Sequence, residues 1–135
     1  MKRWIVSLVL AGVACGGNAA EQATVAIVEP ADGAVTSGAD VRIVLAAGGV
    51  EIAPAAEERA GTAHHHLFVD HDLTPLGDTI PAGVTGILHL GQGQTEFLLR
   101  GLAPGEHRVI ALLANWAHVP LSPLALDTVR FTVQP

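Results

Sequence analysis

The chain is poor in the side chains that most enzymes use for catalysis. Its 135 residues include no tyrosine, one cysteine and one methionine. The single cysteine, Cys15, cannot form a disulfide within the chain or take part in a cysteine cluster. Beyond the first fourteen residues lysine is absent, and serine occurs only at Ser37 and Ser122, in turn-like segments without the context of an activated nucleophile. These absences argue against an enzyme and leave metal-assisted hydrolysis as the enzymatic route worth testing.

The N-terminal segment predicts export. Lys2 and Arg3 precede an uncharged, mostly apolar stretch over residues 4–13, so residues 1–14 are interpreted as a signal peptide. The apolar stretch is too short to span a bilayer, because a transmembrane helix needs about 20 residues.

Two processing routes fit this segment. Ala11-Gly12-Val13-Ala14-Cys15 is similar to a bacterial lipoprotein box, in which Cys15 would be lipidated and residues 15–22 would form a tether, although Gly12 stands where leucine is usual. The alternative is cleavage after Ala20, which would release a secreted protein without the cysteine. Both routes predict a location in the cell envelope, on the periplasmic side, or outside the cell.

Positive charge is scarce in the predicted mature chain. Removal of residues 1–14 leaves five arginines against thirteen acidic residues, a net charge of −8 with neutral histidine. Such a chain repels phosphate backbones, so nucleic-acid binding is not expected. A polybasic membrane-binding surface is excluded for the same reason, and membrane attachment would depend on the lipid alone.

Short apolar segments recur from residue 23 onward and are separated by turns rich in glycine and proline. Thr128–Val133 is typical, since its valine and phenylalanine side chains alternate with polar ones. This pattern predicts one all-β domain over residues 23–135, an immunoglobulin-like antiparallel β-sandwich of about seven strands. The predicted strands are Thr24–Val28, Val41–Ala46, His65–Val69, Gly86–Leu90, Thr95–Leu99, Arg108–Ala114 and Thr128–Val133.

Histidine is the one chemically distinctive residue type that is concentrated here. Four of the seven histidines lie in eight positions, at His64, His65, His66 and His71. In a strand, His64 and His66 share one face and His65 lies on the other. Two histidines on one face can share a metal ion, and a site without thiolates suits copper(II), zinc or nickel rather than calcium.

Further ligands must come from elsewhere in the chain. The candidates are His89, His118 and the downstream group Asp70, His71 and Asp72. The competing interpretation is that these histidines are structural or solvated. His89 alone in its strand suggests a satisfied core or half-buried residue, and His107 after a turn suggests a turn-stabilising hydrogen bond. His118 lies in a loop, where binding residues are common.

Five segments carry a resemblance to a known family. They are Glu29-Pro30-Ala31-Asp32-Gly33, the strand His64-His65-His66-Leu67-Phe68-Val69-Asp70, His89-Leu90-Gly91-Gln92-Gly93-Gln94-Thr95-Glu96, Pro104-Gly105-Glu106-His107 and His118-Val119-Pro120. Over about residues 23–133 the chain resembles the exported bacterial proteins of the domain of unknown function 4399 family. This resemblance supports export and the fold but implies no activity, because the family has none assigned.

The chain departs from the family pattern at three positions. Ile87 and Leu121 stand where the family often has histidines, and Asn115 stands where aspartate is common. If those residues form a metal site in the family, the resemblance implies that this member has lost part of it.

Together these observations predict an exported binding or accessory module rather than an enzyme. The expected ligand is copper or zinc, held by His64, His66, His89 and His118. The alternatives are a structural or protein-interaction domain without metal, whose partner would be an unidentified envelope protein, and, third, a metal-assisted hydrolase.

Overall fold

A computed structural model describes residues 21–135, which form nine β-strands and no helix. The strands are β1 (Thr24–Glu29), β2 (Ala34–Thr36), β3 (Val41–Gly48), β4 (Glu51–Ile52), β5 (Thr62–Val69), β6 (Ile87–Leu90), β7 (Glu96–Leu99), β8 (Gly105–Ala114) and β9 (Leu126–Val133). No helix that could cross a membrane occurs in this part of the chain. The predicted signal peptide, Cys15 and most of the predicted tether lie outside the described residues.

The all-β prediction is confirmed, and each of the seven predicted strands is present. The sequence pattern missed β2 and β4. These strands have three and two residues, which are too few to show a period-2 alternation. They are strands only because each is hydrogen-bonded to a longer neighbouring strand.

The strands form two sheets. The smaller sheet has the order β1-β3-β7, and the larger has the order β2-β9-β8-β5-β4 with β6 also paired to β5. The expectation of purely antiparallel pairing is wrong at two edges, because β2 pairs parallel with β9 and β4 pairs parallel with β5. At the first of these edges, β2 follows β1 of the smaller sheet in the chain but lies beside β9 of the larger sheet. The connection is therefore a crossover between sheets rather than a hairpin.

The main apolar core lies between the two sheets. Alternate residues of β3, namely Val41, Ile43 and Leu45, face alternate residues of β9 and the central strands. Of the residues between them, Arg42 is exposed and Val44 is half-buried. This alternation follows from the pleat of a strand, in which successive side chains point to opposite faces.

A second apolar cluster lies on the opposite face of the larger sheet. Its buried members are Phe68, Ile80, Ile87, Ile110, Leu112 and Ala114. The segment between β5 and β6 supplies Ile80, whose backbone N–H donates to the His118 carbonyl at 2.8 Å. Connecting segments therefore cover this outer face, and β5 is buried on both sides from Thr62 to Phe68. Both faces of the histidine triplet are in consequence inside the protein.

Candidate metal centre

Four histidines converge at the edge of this outer face. His64 and His66 come from β5, His89 from β6, and His118 from the loop between β8 and β9. One nitrogen from each imidazole lies within 4.8 Å of the corresponding nitrogen of every other. The Nε2 atoms of His64 and His66 are 2.9 Å apart, and those of His89 and His118 are 3.2 Å apart. These residues are called the four-histidine cluster below.

Strand geometry explains three of the four positions. His64 and His66 are two residues apart in β5, so their side chains project from the same face. In the antiparallel pair β5–β6, His89 lies directly opposite His66. Side chains at opposite positions in such a pair approach closely, so the register brings the third imidazole to the first two.

His118 is held by a tightly hydrogen-bonded loop. The side-chain oxygen of Asn115 accepts hydrogen bonds from the backbone N–H groups of Ala117 at 3.0 Å and Val119 at 3.1 Å. The backbone carbonyl of Asn115 accepts from the His118 N–H at 2.8 Å. His118 itself has a φ of 60°, a left-handed conformation that is uncommon outside glycine. Asn115 is therefore the residue around which the loop folds to direct His118 toward the sheet.

The position of the His89 imidazole depends on the absence of a side chain at Gly91. A Cβ atom at Gly91 would lie 2.5 Å from Nε2 of His89 and would also collide with its Cε1 atom. The imidazole therefore occupies the space that any other residue at position 91 would fill. Glycine here makes room for a neighbouring side chain.

The cluster is buried on one side and open on the other. His64 and His66 are only 1% and 2% exposed, whereas His89 is exposed and His118 is half-buried. Burial, reinforced by the neighbouring imidazoles, lowers the pKa of His64 to about 4 and that of His66 to about 3. Burial and the neighbouring His118 also lower the pKa of His89. These imidazoles are consequently neutral at neutral pH, the form in which histidine binds metals.

The other histidine of the triplet points away. His65 lies on the face of β5 that meets the core between the sheets, and its Nδ1 atom is 3.2 Å from the backbone carbonyl oxygen of Gln94. Its Nε2 atom is buried without a hydrogen-bond partner in the described structure. The prediction that strand alternation divides the triplet is therefore confirmed.

The downstream alternatives to His89 and His118 lie elsewhere. Asp70 contacts His107 and Arg108 rather than the cluster, and Asp72 accepts a hydrogen bond from Arg108 at 2.7 Å. The Nδ1 atom of His71 lies at hydrogen-bond distance, 2.6 Å, from the backbone carbonyl oxygen of Asp72. Asp70 lies just beyond the end of β5 and has a φ of 51°, so it does not continue the strand alternation that places His64 and His66 on one face.

His107 occupies a polar environment of its own. Its Nδ1 atom is 2.6 Å from a carboxylate oxygen of Asp70, and its Nε2 atom is 2.7 Å from the carbonyl oxygen of Ala103. The expected turn-stabilising hydrogen bond is thus present. Burial lowers the pKa of His107, but the hydrogen bonds to Ala103 and Asp70 outweigh this effect and the net pKa is raised.

Comparison with known proteins agrees with the resemblance noted from the sequence. The family described as Domain of unknown function (DUF4399) matches residues 43–134. The chain belongs to this family. No curated protein matches the chain.

A solved structure with a similar fold exists among engineered proteins. The crystal structure of an engineered protein from the Northeast Structural Genomics Consortium has a TM-score of 0.52 and 17% sequence identity to this DUF4399 chain. The match covers 87% of the chain but only 21% of the engineered protein, so the chain spans about a fifth of that protein's length. This likeness concerns the fold alone.

Two positions at which the resemblance implies histidines in other members pack in apolar clusters here, namely Ile87 and Leu121. Ile87 is buried beside Phe68 in the outer apolar cluster. Leu121 packs against a small buried group that includes Leu113. Four histidines remain close together without either position, so a complete set of four nitrogen ligands is still available.

Sequence reasoning missed two residues that position the cluster. Gly91 enters the sequence prediction only as part of a segment that resembles the family, although a glycine two positions after a strand histidine can indicate that the imidazole ring needs the space. Asn115 was noted only as a departure from the family pattern. Asparagine shortly before a loop histidine favours local turns, and this is the signal that could have pointed to its role.

Proposed function

We propose that the protein is an exported binding module that holds one copper or zinc ion through the four-histidine cluster. The observation that carries the proposal is the presence of four imidazole nitrogens within 4.8 Å of one another, contributed by three separate segments of the chain. Imidazole is a preferred ligand of both ions. The acidic balance of the chain would also favour the local concentration of a cation.

The surroundings of the buried pair support this proposal. His64 and His66 place two Nε2 atoms 2.9 Å apart in a buried position, and the cluster includes no carboxylate or thiolate among residues 21–135. Two neutral imidazoles at this distance share a single N–H···N hydrogen bond, whereas an ion would accept the lone pairs of both Nε2 atoms.

A structural cluster without metal is the alternative. In each of the pairs His64–His66 and His89–His118, one Nε2–H group can donate to the other Nε2 atom. Such pairs would satisfy four nitrogens without an ion. The domain would then serve as a structural or protein-interaction module.

Metal analysis of the full-length protein, purified without a His-tag, tests the metal proposal. We expect about one copper or zinc ion per chain, and loss of that ion in a His64→Ala/His66→Ala variant. His71→Ala is the matched control, because His71 lies outside the cluster. Absence of stoichiometric binding, or equal binding in the double variant, would favour the structural alternative.

For the architecture we propose an immunoglobulin-like β-sandwich. Two sheets that share one apolar core support this proposal. In each parallel pair one member is a short strand, β2 or β4, and every other pair of strands in the two sheets is antiparallel. An experimental structure with the angle between the two sheets measured would test the assignment, and near-orthogonal strands would contradict it.

We further propose that the protein is exported and anchored through lipidated Cys15, with secretion as the alternative. The support is the sequence of residues 1–15. Replacement of Cys15 by serine should move the protein from the membrane fraction to the soluble fraction of the cell envelope. Unchanged partitioning would reject the lipid anchor.

A further inference from the structure

The four imidazole rings of the cluster are almost evenly spaced. The six distances between ring centroids are 4.9 Å for His64–His66, 4.9 Å for His64–His89, 5.0 Å for His64–His118, 5.0 Å for His66–His89, 5.8 Å for His66–His118 and 4.7 Å for His89–His118. Four points with six similar separations lie near the corners of a tetrahedron. Four points in a square would instead have two separations much longer than the other four.

Ordinary bond lengths allow the two arrangements to be compared with the structure. With zinc–nitrogen bonds of about 2.0 Å, each ring centroid lies about 3.1 Å from the ion, and tetrahedral ligands have centroids about 5.1 Å apart. A square-planar ion with the same bonds would place adjacent centroids about 4.4 Å apart and opposite ones about 6.2 Å apart. The observed range of 4.7 to 5.8 Å falls around the tetrahedral value.

The closest nitrogen contacts agree with the ring positions. Tetrahedral ligands at about 2.0 Å have nitrogens about 3.3 Å apart. The Nε2 atoms of His89 and His118 are 3.2 Å apart, and those of His64 and His66 are 2.9 Å apart. All four ligand nitrogens lie within 4.8 Å of one another, so the other pairs would need to approach by at most about 1.5 Å to complete the coordination shell.

From this arrangement we infer that the metal-binding function proposed above is specific to a tetrahedral ion, zinc, held in a closed site of four imidazoles. Zinc has no electronic preference against tetrahedral coordination, whereas copper(II) and nickel(II) favour square-planar or tetragonal sites. Copper(I) also accepts tetrahedral ligands but prefers sulfur, and the cluster in the described residues consists of histidine alone.

A closed coordination shell has a consequence for function. Catalytic zinc sites keep one position for water or substrate, whereas four protein ligands fill all positions of a tetrahedral ion. The site therefore serves to carry, store or structurally use zinc rather than to hydrolyse a substrate. His89 and His118 lie on the exposed side, so zinc enters and leaves past these two ligands.

Cobalt(II) provides a spectroscopic test on the full-length protein. Loaded in place of zinc, it should give the intense visible absorption of four-coordinate cobalt, and zinc should abolish that absorption by displacement. X-ray absorption of the zinc-loaded protein should show about four nitrogen neighbours at about 2.0 Å. The weak absorption of six-coordinate cobalt would overturn the tetrahedral site while leaving metal binding intact. Absence of any bound metal would overturn both proposals.

Azide distinguishes a closed site from an open one. Because all four positions are filled, azide should leave the cobalt spectrum of the unmodified protein unchanged. In a His89→Ala variant, which opens one position at an exposed residue, azide should shift the spectrum. A shift in the unmodified protein would show an open position and contradict the closed site, whatever the variant does.

Competition between metals tests the preference itself. With equimolar zinc and nickel(II), the unmodified protein should retain about tenfold more zinc, because nickel loses its preferred geometry in this site. Equal retention, or a preference for nickel, would contradict selection by tetrahedral geometry.

Discussion

His64 and His107 lie on paired strands of the same sheet, β5 and β8, yet their surroundings give them opposite properties. His64 is almost completely buried and faces other imidazoles, and burial, reinforced by these imidazoles, lowers its pKa to about 4. His107 faces a carboxylate and a carbonyl oxygen, and its pKa is raised. The first environment keeps an unprotonated nitrogen available to a metal ion, and the second favours a protonated ring that donates two hydrogen bonds. The side chain is identical, so the neighbours decide its chemistry.

The largest effect should come from removal of a ligand on the exposed side of the cluster. Because His89 is exposed, His89→Ala leaves little cavity, and we expect zinc affinity to fall by more than about 100-fold, beyond the range seen for outer-shell residues. His107→Ala is the matched control and should leave zinc affinity unchanged. Isothermal titration of both variants would measure the difference, and equal losses would remove the distinction between the two histidines.

The next largest effect should come from filling the space beneath His89. Gly91→Ala should displace the imidazole and lower zinc affinity by about 10- to 100-fold. The free energy of unfolding of the metal-free protein should change by less than about 1 kcal/mol, because a surface side chain can move aside and position 91 does not require a left-handed backbone. Gly48→Ala is the control, since its Cβ atom would meet Thr24 Oγ1 at 3.0 Å, on the smaller sheet. A loss of affinity in both variants would contradict the role of Gly91.

A smaller effect is expected from the loop that carries His118. Asn115→Ala removes the acceptor of two backbone hydrogen bonds, so we expect a loss of about 1–2 kcal/mol in stability and about tenfold in zinc affinity. Asn115→Asp keeps an oxygen that can accept both bonds and should restore most of the affinity. Urea denaturation and zinc titration would measure the two quantities. If Asn115→Ala lost stability but no affinity, the loop would not position His118.

The smallest effect should be a pH dependence of stability that arises from His107. The pKa of His107 is raised in the folded state. Its contribution to the free energy of unfolding is therefore fully present below the unfolded-state pKa of about 6.5 and is lost as pH rises through the folded-state pKa. We expect no more than about 1 kcal/mol, because Asp70 is 47% exposed. Urea denaturation of the metal-free protein at several pH values above 6 would show this decline. His107→Gln should lack it, and an identical decline in that variant would assign it to other groups.

Local sequence patterns predicted much of the fold. The alternation in Thr128–Val133 corresponds to a strand with Val129, Phe131 and Val133 in the core. Seven strands were recognisable because each buries at least one face. The strands β2 and β4 were not recognisable, since two or three residues carry no period. The outer apolar cluster was also missed, because nothing in a strand sequence indicates which loop will fold back over it.

The candidate site, like the fold, could be predicted from the sequence only in part. The pairing of His64 with His66 follows from strand alternation alone. The strand pattern around His89 favours a core or half-buried residue over a metal ligand, yet His89 is exposed. The β5–β6 register places it opposite His66 at the edge of the cluster. Its contact with His118 joins residues 29 positions apart in the chain. No local pattern encodes such a contact.

The amino-acid sequence by itself determined the alternating faces of the strands, the acidic balance and the separation of His65 from its two neighbours. These properties depend only on residue type and on the two-residue period of a β-strand. The tertiary structure decided which four histidines meet, how evenly their rings are spaced and which histidine instead faces a carboxylate. These features depend on strand register and on loop packing, which arise from contacts between residues far apart in the chain.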